Sequence, residues 1–309
     1  MSPLTLLLVI VAAFAHAGWN LASKRASSTG VPFIWLGAVA STVVYLPVAG
    51  VDAFLSPSPI GAVVLGAFVS AVLHVGYMLL LQAGYARGDI SVVYPMARGT
   101  APLLSVVFAI VVFHEEPTLL GVIGALLVVA GVVGIGLSGR RGEAMPGATT
   151  AASPAPSPVL PRRTGLGPRQ RAGVLFGLAT GVSIAIYTVW DAYVVGELGA
   201  SPILLMVGCT IGESIMLAPF AWRRRAEVRQ VWRRYQPQVW TLGVLSPLSY
   251  ILVLYALTLA PVSLVAPARE MSVVLVSLAG WLLLKEPDPL RRLGGAVVVL
   301  GGVALLAVA

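Results

Sequence analysis

Ten apolar runs, each about the length of a membrane-spanning helix, constrain this chain more than any other feature of its sequence. A helix needs about 20 apolar residues to cross the hydrocarbon core of a bilayer, where every backbone polar group must be paired within the protein. The runs cover residues 4–22, 32–51, 60–84, 90–113, 118–138, 172–193, 202–221, 239–259, 263–284 and 293–309. We therefore predict an all-α membrane protein with ten transmembrane helices, numbered here as spans 1 to 10.

The composition agrees with a chain that lies mostly in lipid. Apolar residues make up 58% of its 309 residues and charged residues only 10%, whereas a soluble domain carries about 25% charged residues. The net charge of +8 is concentrated in loops, so membrane topology explains it better than nucleic-acid binding does. The single cysteine, Cys209, excludes an intrachain disulfide, and the sequence has neither metal-ligand spacing nor a phosphate-binding loop. We expect a protein that is not an enzyme and needs no cofactor or metal.

One segment interrupts the apolar pattern and divides the chain. Residues 139–171 are rich in Ala, Pro, Ser, Thr and Gly and contain six arginines. Such a segment buries too little apolar surface to offset the entropy of ordering, which predicts a disordered linker. It separates a first five-helix repeat, residues 1–138, from a second, residues 172–309.

The two halves resemble each other in sequence. Residues 90–117 of the first half have a counterpart in residues 262–287 of the second. Both stretches open with serine, three largely apolar residues and proline, both contain an arginine (Arg98, Arg269), and both close with Glu-Pro. Because five spans per half is an odd number, the halves must insert in opposite orientations, and inverted repeats are typical of secondary transporters.

Further pairs of residues extend this correspondence. Trp19-Asn20 matches Trp190-Asp191, and Gly124 and Gly131 in span 5 match Gly294 and Gly301 in span 10. Small residues allow membrane helices to approach closely, so spans 5 and 10 are expected to be packing elements.

The basic residues predict the orientation. Every lysine and arginine except Arg98 and Arg269 falls in a loop, and the alternation of spans puts all of those loops on one side. The positive-inside rule makes that side cytoplasmic. The 139–171 linker is then cytoplasmic and both termini lie outside.

Six ionisable groups inside the spans are the candidates for function, because a charge in the membrane costs several kcal/mol unless it is paired or hydrated. A rise of about 1.5 Å per residue places them in a band around the middle of the membrane. They are His16, His74, Arg98, Glu213, Arg269 and Glu270. One interpretation makes the four acidic and basic residues structural ion pairs between the halves. The other is a polar cavity where arginine binds a substrate carboxylate or phosphate and glutamate carries protons. Both can hold together.

Neighbouring polar and aromatic residues could line such a cavity. Trp19 and Asn20 lie about one helical turn from His16. Four aromatic residues combine an aromatic surface with a polar group: Tyr77, Tyr94, Trp190 and Tyr250. Ordinary packing is the competing interpretation for the tyrosines, as is a hydrogen-bonded core position for both histidines. Asp191 lies near the outer end of span 6 by residue count, which predicts an interfacial position.

Two prolines, Pro95 and Pro267, lie within about one turn of the buried charges. Each predicts a local kink that leaves backbone carbonyls free to line a cavity.

These features together resemble the EamA family of the drug/metabolite transporter superfamily. The resemblance rests on two five-helix halves, on Trp-Asn near the end of span 1, and on apolar helices that contain proline, end in Glu-Pro and precede glycines seven residues apart. It covers nearly the whole chain except residues 139–171. It implies a secondary carrier of the cell inner membrane, often an exporter of amino acids, metabolites or drugs, with a cavity lined mainly by spans 1, 3, 4, 6, 8 and 9.

Two features depart from that family pattern. Many relatives are thought to keep both termini in the cytoplasm, which is the opposite of what the charges predict here. Arginines in both span 4 and span 9 are not a general family feature, and they favour an anionic or zwitterionic substrate.

The sequence therefore predicts a secondary transporter of small organic metabolites, such as amino acids or organic anions, that works by alternating access between two inverted repeats. Its expected partners are a small-molecule substrate and the lipid bilayer, without nucleic acid, in a monomer or homodimer. The expected substrate-binding residues are Arg98, Arg269, His16, Asn20, Tyr77 and Tyr94, and the expected proton-coupling or counter-ion residues are Glu213, Glu270 and His74. The alternative is a non-transporting membrane protein, such as a lipid-interacting scaffold or an intramembrane enzyme, which would have no continuous polar path. Substrate identity, direction and coupling ion stay open.

Overall fold

Helices form the secondary structure of the computed structural model, which describes residues 1–23, 26, 29–88, 90–138, 167–284 and 289–309. In chain order they are α1 (Pro3–Ser23), α2 (Val31–Leu55), α3 (Ile60–Arg87), α4 (Ile90–Phe113), α5 (Leu119–Ser138), α6 (Pro168–Gly196), α7 (Pro202–Arg223), α8 (Arg225–Leu259), α9 (Val262–Ala268), α10 (Met271–Leu284) and α11 (Pro289–Val308).

Eight helical segments are long and apolar enough to cross a membrane, and the last of them, Val262–Ala279, combines α9 with part of α10. Two shorter apolar stretches, Leu119–Ile135 and Leu293–Val308, fall where spans 5 and 10 are predicted. Large apolar side chains such as Phe14, Phe68 and Ile215 are exposed on the outside of the bundle, where only lipid would solvate them favourably. The protein is a multi-pass helical membrane protein, and the number of ten spans stays a prediction.

Predicted span 9 is broken in the structure. α9 ends at Ala268, Arg269 and Glu270 form a turn, and α10 begins at Met271. The backbone N–H groups of Glu270 and Val273 donate to carbonyls three residues back, those of Pro267 and Glu270, instead of four. The break follows Pro267, as predicted, whereas α4 stays helical through Pro95 and Pro102.

Two other helices begin earlier than predicted. α6 starts at Pro168, so the last four residues of the predicted linker are helical, while residues 139–166 lie outside the described residues. α8 starts at Arg225 and is kinked at Tyr235, whose φ of −126° and ψ of 27° are not helical. The basic residues before the kink therefore belong to a helix and not to an open loop.

The helices of the two halves pack in a pattern that repeats. α1 packs against α8, and the equivalent pair, α6 and α3, also pack together. The α4–α6 contact has its counterpart in α10–α1, and α2–α8 has its counterpart in α7–α3. Equivalent helices meet directly in the pairs α2–α7 and α5–α11. This exchange of equivalent contacts is what two repeats related by a two-fold axis produce.

Glycines bring α5 and α11 into close contact. A methyl group added to Gly131 would lie 2.8 Å from the carbonyl oxygen of Gly295, and one added to Gly302 would lie 2.7 Å from that of Gly124. The prediction that spans 5 and 10 are packing elements is therefore confirmed, and the structure adds that they pack against each other. The glycines of α11 that make the contact are Gly295 and Gly302, each one residue after a predicted glycine. Gly294 and Gly301 have open space around their α-carbons, because they face away from α5.

Hydrogen bonds tie the two halves together at the end of the bundle whose loops lack basic residues. The Glu115 carboxylate accepts from the backbone N–H groups of Val262 (2.7 Å) and Ser263 (3.0 Å), at the start of α9. The Ser201 hydroxyl donates to the Asp52 carboxylate. Both sets of contacts therefore join one repeat to the other at this end of the bundle.

Candidate substrate-binding site

An arginine from each half meets one buried glutamate at the centre of the bundle. Arg98 in α4 lies 3.6 Å from Glu270, measured from Nη1 to Oε1. Arg269 lies 3.8 Å from the same carboxylate oxygen, measured from its Nε. Glu270 is only 1% exposed, whereas the side chains of Arg98 and Arg269 keep 19% and 12% of their surface accessible. The arginine side chains therefore keep some accessible surface, and the glutamate side chain is sealed.

The repeat explains why these residues meet. Arg98 follows Pro95 by three residues, and Glu270 follows Pro267 by three. When the halves are aligned on these prolines, the structural counterpart of Arg98 is Glu270, and Arg269 takes the position of Ala97. Two-fold related repeats bring equivalent positions together near their axis, so the Arg98–Glu270 ion pair joins the halves there.

His16 and Tyr94 surround the Arg98 guanidinium. Arg98 Nη2 lies 3.2 Å from His16 Nε2, and because arginine has only donors, this histidine nitrogen must be the acceptor. The His16 ring packs edge-on against Trp19 at 5.0 Å. The guanidinium carbon lies 5.7 Å from the centre of the Tyr94 ring, within the range of a cation–π interaction. The structure thus brings three predicted residues together.

Asn20 is near this group but its amide has another partner. Its Nδ2 donates to the backbone carbonyl of His16, 2.7 Å away and one turn back along α1. The side chain therefore helps to hold the end of α1, and its amide oxygen is the atom that could meet a ligand.

The charges at the centre are unequal. Two guanidinium groups share the single carboxylate of Glu270, which leaves an excess of one positive charge among these three groups. Glu270 Oε2 is buried and has no hydrogen-bond partner. A carboxylate or phosphate entering beside Arg98 and Arg269 would supply the missing negative charge in the bidentate geometry that guanidinium groups favour.

A second polar group lies between α3 and α7. His74 Nδ1 lies 3.2 Å from the Ser70 hydroxyl and 2.9 Å from the Ser70 carbonyl. The Ser70 hydroxyl donates to the Cys209 sulfur at 3.5 Å, and that sulfur lies 3.9 Å from Glu213 Oε1. All four residues are buried. The contacts through the serine and the cysteine connect the predicted residues His74 and Glu213.

Asp191, for which residue count predicts an interfacial position, is buried inside the protein. Its side chain is 0% exposed, and its Oδ2 accepts a hydrogen bond of 2.6 Å from the Tyr250 hydroxyl. Its Oδ1 has no hydrogen-bond partner. A residue count along α6 cannot tell that α8, which carries Tyr250, covers this face of the helix.

Aromatic rings fill the space between the two polar groups. The Tyr187 ring lies 4.1 Å from His74, 5.5 Å from Tyr77 and 6.1 Å from Tyr250, measured between ring centres. Tyr187 also packs in one cluster with Ala101 of α4, the helix that carries Arg98, and its neighbour Tyr250 donates to Asp191. It therefore lies between the cationic group and the acidic one, and Tyr77 packs beside it as a lining residue.

Tyr187 is not among the predicted residues, although the repeat contains a signal for it. Tyr187 precedes Trp190 by three residues, as His16 precedes Trp19 by three. Tyr187 is therefore the counterpart of His16, a residue that was predicted. Ser70 and Cys209 were missed for a different reason, because nothing in an apolar run distinguishes a packed serine or thiol from one that contacts a carboxylate.

The site as a whole has a cationic side and an acidic side joined by aromatic rings. Arg98 and Arg269 form the first, and Glu213 and Asp191 lie on the second. No three His, Cys, Asp or Glu side chains in the described part of the chain are placed to hold a metal ion. Such an arrangement can bind an organic anion or a zwitterion, and its second side can exchange protons.

Comparisons with known proteins agree with the repeat and with the fold. The model of the EamA-like transporter family matches the chain twice, over residues 3–137 and 171–308. A solved structure described as "Crystal structure of protein" superposes with a TM-score of 0.67, covering 98% of this chain and 96% of that chain at 17% identity. At that identity the likeness concerns the fold alone. No curated protein matches the sequence.

Proposed function

Because the chain belongs to the EamA-like transporter family, we propose that it is a secondary transporter of small organic solutes that carry a carboxylate or phosphate group. Amino acids and organic anions are the substrate classes that fit best. The direction we propose is export, which rests on the family resemblance, and the gradients of solute and coupling ion decide it in any given cell.

The observation that carries this proposal is the excess positive charge at the centre. Arg98 and Arg269 share Glu270 and keep accessible surface, whereas Glu270 is sealed. An anionic substrate would therefore bind the arginines without first displacing water from the glutamate. A neutral solute would leave the charge imbalance in place, and burying it would cost free energy.

The same ion pair offers a way to couple binding to movement. Arg98 and Glu270 belong to different repeats, so an anion that competes with Glu270 for Arg98 weakens a contact between the halves. Alternating access requires such a differential effect, because a ligand shifts a conformational equilibrium only if it binds the two states unequally. Substrate binding would thus favour rocking of one repeat against the other.

The test is a thermal-shift screen of amino acids and organic anions on the purified protein. We expect a compound with a free carboxylate or phosphate to raise the Tm, while its uncharged amide or ester does not. Arg98→Gln is expected to remove the shift and Arg171→Gln, at the exposed start of α6, to preserve it. If Arg98→Gln only lowers the Tm and binds the compound as before, the arginine is structural.

Proton coupling is the second part of the proposal. Asp191 accepts a hydrogen bond from the Tyr250 hydroxyl, and Glu213 accepts one from the Cys209 thiol. Because both donors are uncharged, neither hydrogen bond supplies a full compensating charge for an ionised carboxylate. Buried carboxyls of this kind recur in the proton relays of transporters. In proteoliposomes, an imposed pH gradient should drive transport by the wild type and fail to drive it in Glu213→Gln. Transport that ignores the gradient in both would exclude coupling to protons.

A non-transporting scaffold or intramembrane enzyme is the competing function. It predicts no solute flux and no ligand that depends on Arg98. The same proteoliposome experiment distinguishes it, since a scaffold would show no saturable uptake with any compound that raises the Tm.

A further inference from the structure

The start of α8 carries the densest charge in the described part of the chain. Residues 223–234 contain six arginines and one acidic residue, Glu227. All six arginines are exposed. They follow directly after α7, which ends at Arg223, and precede the kink at Tyr235 from which α8 continues into the membrane. The charge therefore lies at the level where membrane helices leave the bilayer.

This segment is amphipathic, and its apolar side is already occupied. Val231 is buried in a cluster with Ala26 and Phe33, and Trp232 and Tyr235 pack against that cluster. The opposite side remains open. Arg225, Arg229 and Arg233 are spaced four residues apart, so they lie along one stripe of the helix.

The stripe borders a shallow groove of about 340 Å³, lined by Ala226, Arg229, Gln230, Arg233 and Arg234. Its polar lining consists of three guanidinium groups and one amide, all of which can donate to phosphate oxygens. Ala226 leaves room at the floor of the groove for a group that approaches closely.

Tryptophans lie within the basic segment and on both sides of it. Trp222 and Trp240 are exposed on either side of the basic segment, and Trp232 packs edge-on against Trp240 at 6.1 Å. Exposed tryptophan is enriched where a membrane protein meets the headgroup region. The exposed tryptophans therefore favour a position of the basic groove at the level of the lipid headgroups.

We propose that the groove of Arg229, Arg233 and Arg234 binds the phosphate headgroup of an anionic phospholipid. Juxtamembrane clusters of arginine attract anionic lipids by their charge, and the groove adds a shaped set of donors. The 139–171 linker is a poor occupant, because it carries arginines and a single acidic residue, Glu143, and would be repelled.

The experiment uses the full-length protein in a neutral detergent, with phosphatidylglycerol or phosphatidylcholine added. Lipid retention is read by native mass spectrometry and affinity by the rise in Tm. We expect saturable binding of phosphatidylglycerol, and we expect R229Q/R233Q to weaken it about 10- to 30-fold. Gln230→Arg, which adds a charge to the groove, should strengthen it several-fold.

The matched control is R169Q/R171Q. It removes the same charge from the exposed start of α6, on the same side of the membrane, and should change the affinity less than two-fold. Equal weakening by both double variants, or by neither, would overturn the proposal. Glycerol phosphate or an acidic peptide that binds as tightly as phosphatidylglycerol would also overturn it, because the site would then not be one for lipid.

Discussion

At the residue scale, the buried charges were identifiable from the sequence and their partners were not. Arg98, Arg269 and Glu270 could be singled out because an ionisable residue inside an apolar run is expensive. That Arg98 pairs with Glu270 depends on a two-fold axis, which residue counting along single helices cannot locate. The burial of Asp191 could not be predicted for the same reason, since the helix that covers it is distant in the sequence.

The first prediction concerns Glu270, the sole carboxylate within salt-bridge distance of Arg98 and Arg269 in the described residues. Glu270→Gln leaves two buried guanidinium groups without a counter-charge, and we expect it to lower the free energy of unfolding by about 3–5 kcal/mol. The measurement is thermal unfolding in detergent, with Glu227→Gln as an exposed control. The bound anionic substrate should restore part of the loss in Glu270→Gln. An unchanged Tm would mean that the glutamate is not paired in the membrane.

At the element scale, apolar run length predicted where helices lie but not where they break. The break at Arg269-Glu270 lies inside an apolar run that is predicted as one span, and the kink at Tyr235 lies in a polar stretch that is predicted as a loop. Pro267 indicates the break at Arg269-Glu270, whereas Pro95 and Pro102 lie inside α4 without ending it. Tertiary packing decides which proline interrupts a helix.

The glycines of α11 offer a matched pair for testing the α5–α11 contact. Gly302→Val would drive its side chain against the Gly124 carbonyl and Val128, while Gly301→Val points into open space. We expect the first to lower the free energy of unfolding by about 1–3 kcal/mol, because overpacked contacts force helices apart. Gly301→Val should leave the free energy of unfolding nearly unchanged. The measurement is thermal unfolding, and equal effects of the two variants would mean that Gly302 does not face α5 more closely than Gly301 does.

Glu115 gives a second prediction at this scale, because it caps the start of α9 from the opposite repeat. Glu115→Ala removes the partner of two backbone N–H groups, at a cost of about 1–2 kcal/mol. Hydrogen exchange of the α9 amides should therefore become faster. Glu116→Ala, at the exposed neighbouring position, should leave that exchange unchanged. If the two variants behave alike, the cap does not hold α9.

At the scale of the whole molecule, the repeat and the helical membrane fold could be read from the sequence, because run length and self-similarity survive without knowledge of packing. The early start of the second repeat, at Pro168, could not be predicted from the sequence, because Arg169 and Arg171 resemble the residues of the linker before them.

The orientation is the prediction that belongs to this scale. The basic loops are expected on the cytoplasmic side and both termini outside. An impermeant maleimide should label Ser56→Cys in intact cells, and Glu227→Cys only after the cells are opened. Both positions are exposed, and the native Cys209 is buried, so background labelling should be low. The reverse pattern would place the termini in the cytoplasm.

The most direct test of the account is transport by purified protein in proteoliposomes, using a solute that the thermal-shift screen identifies. We expect saturable uptake of an anionic or zwitterionic solute. Removing one partner of a buried charge pair costs about 2–5 kcal/mol, so Arg98→Gln and Arg269→Gln should each reduce uptake at least about 10-fold. Arg171→Gln should leave uptake unchanged. Uptake that survives loss of both central arginines would contradict the proposal that Arg98 and Arg269 bind the substrate.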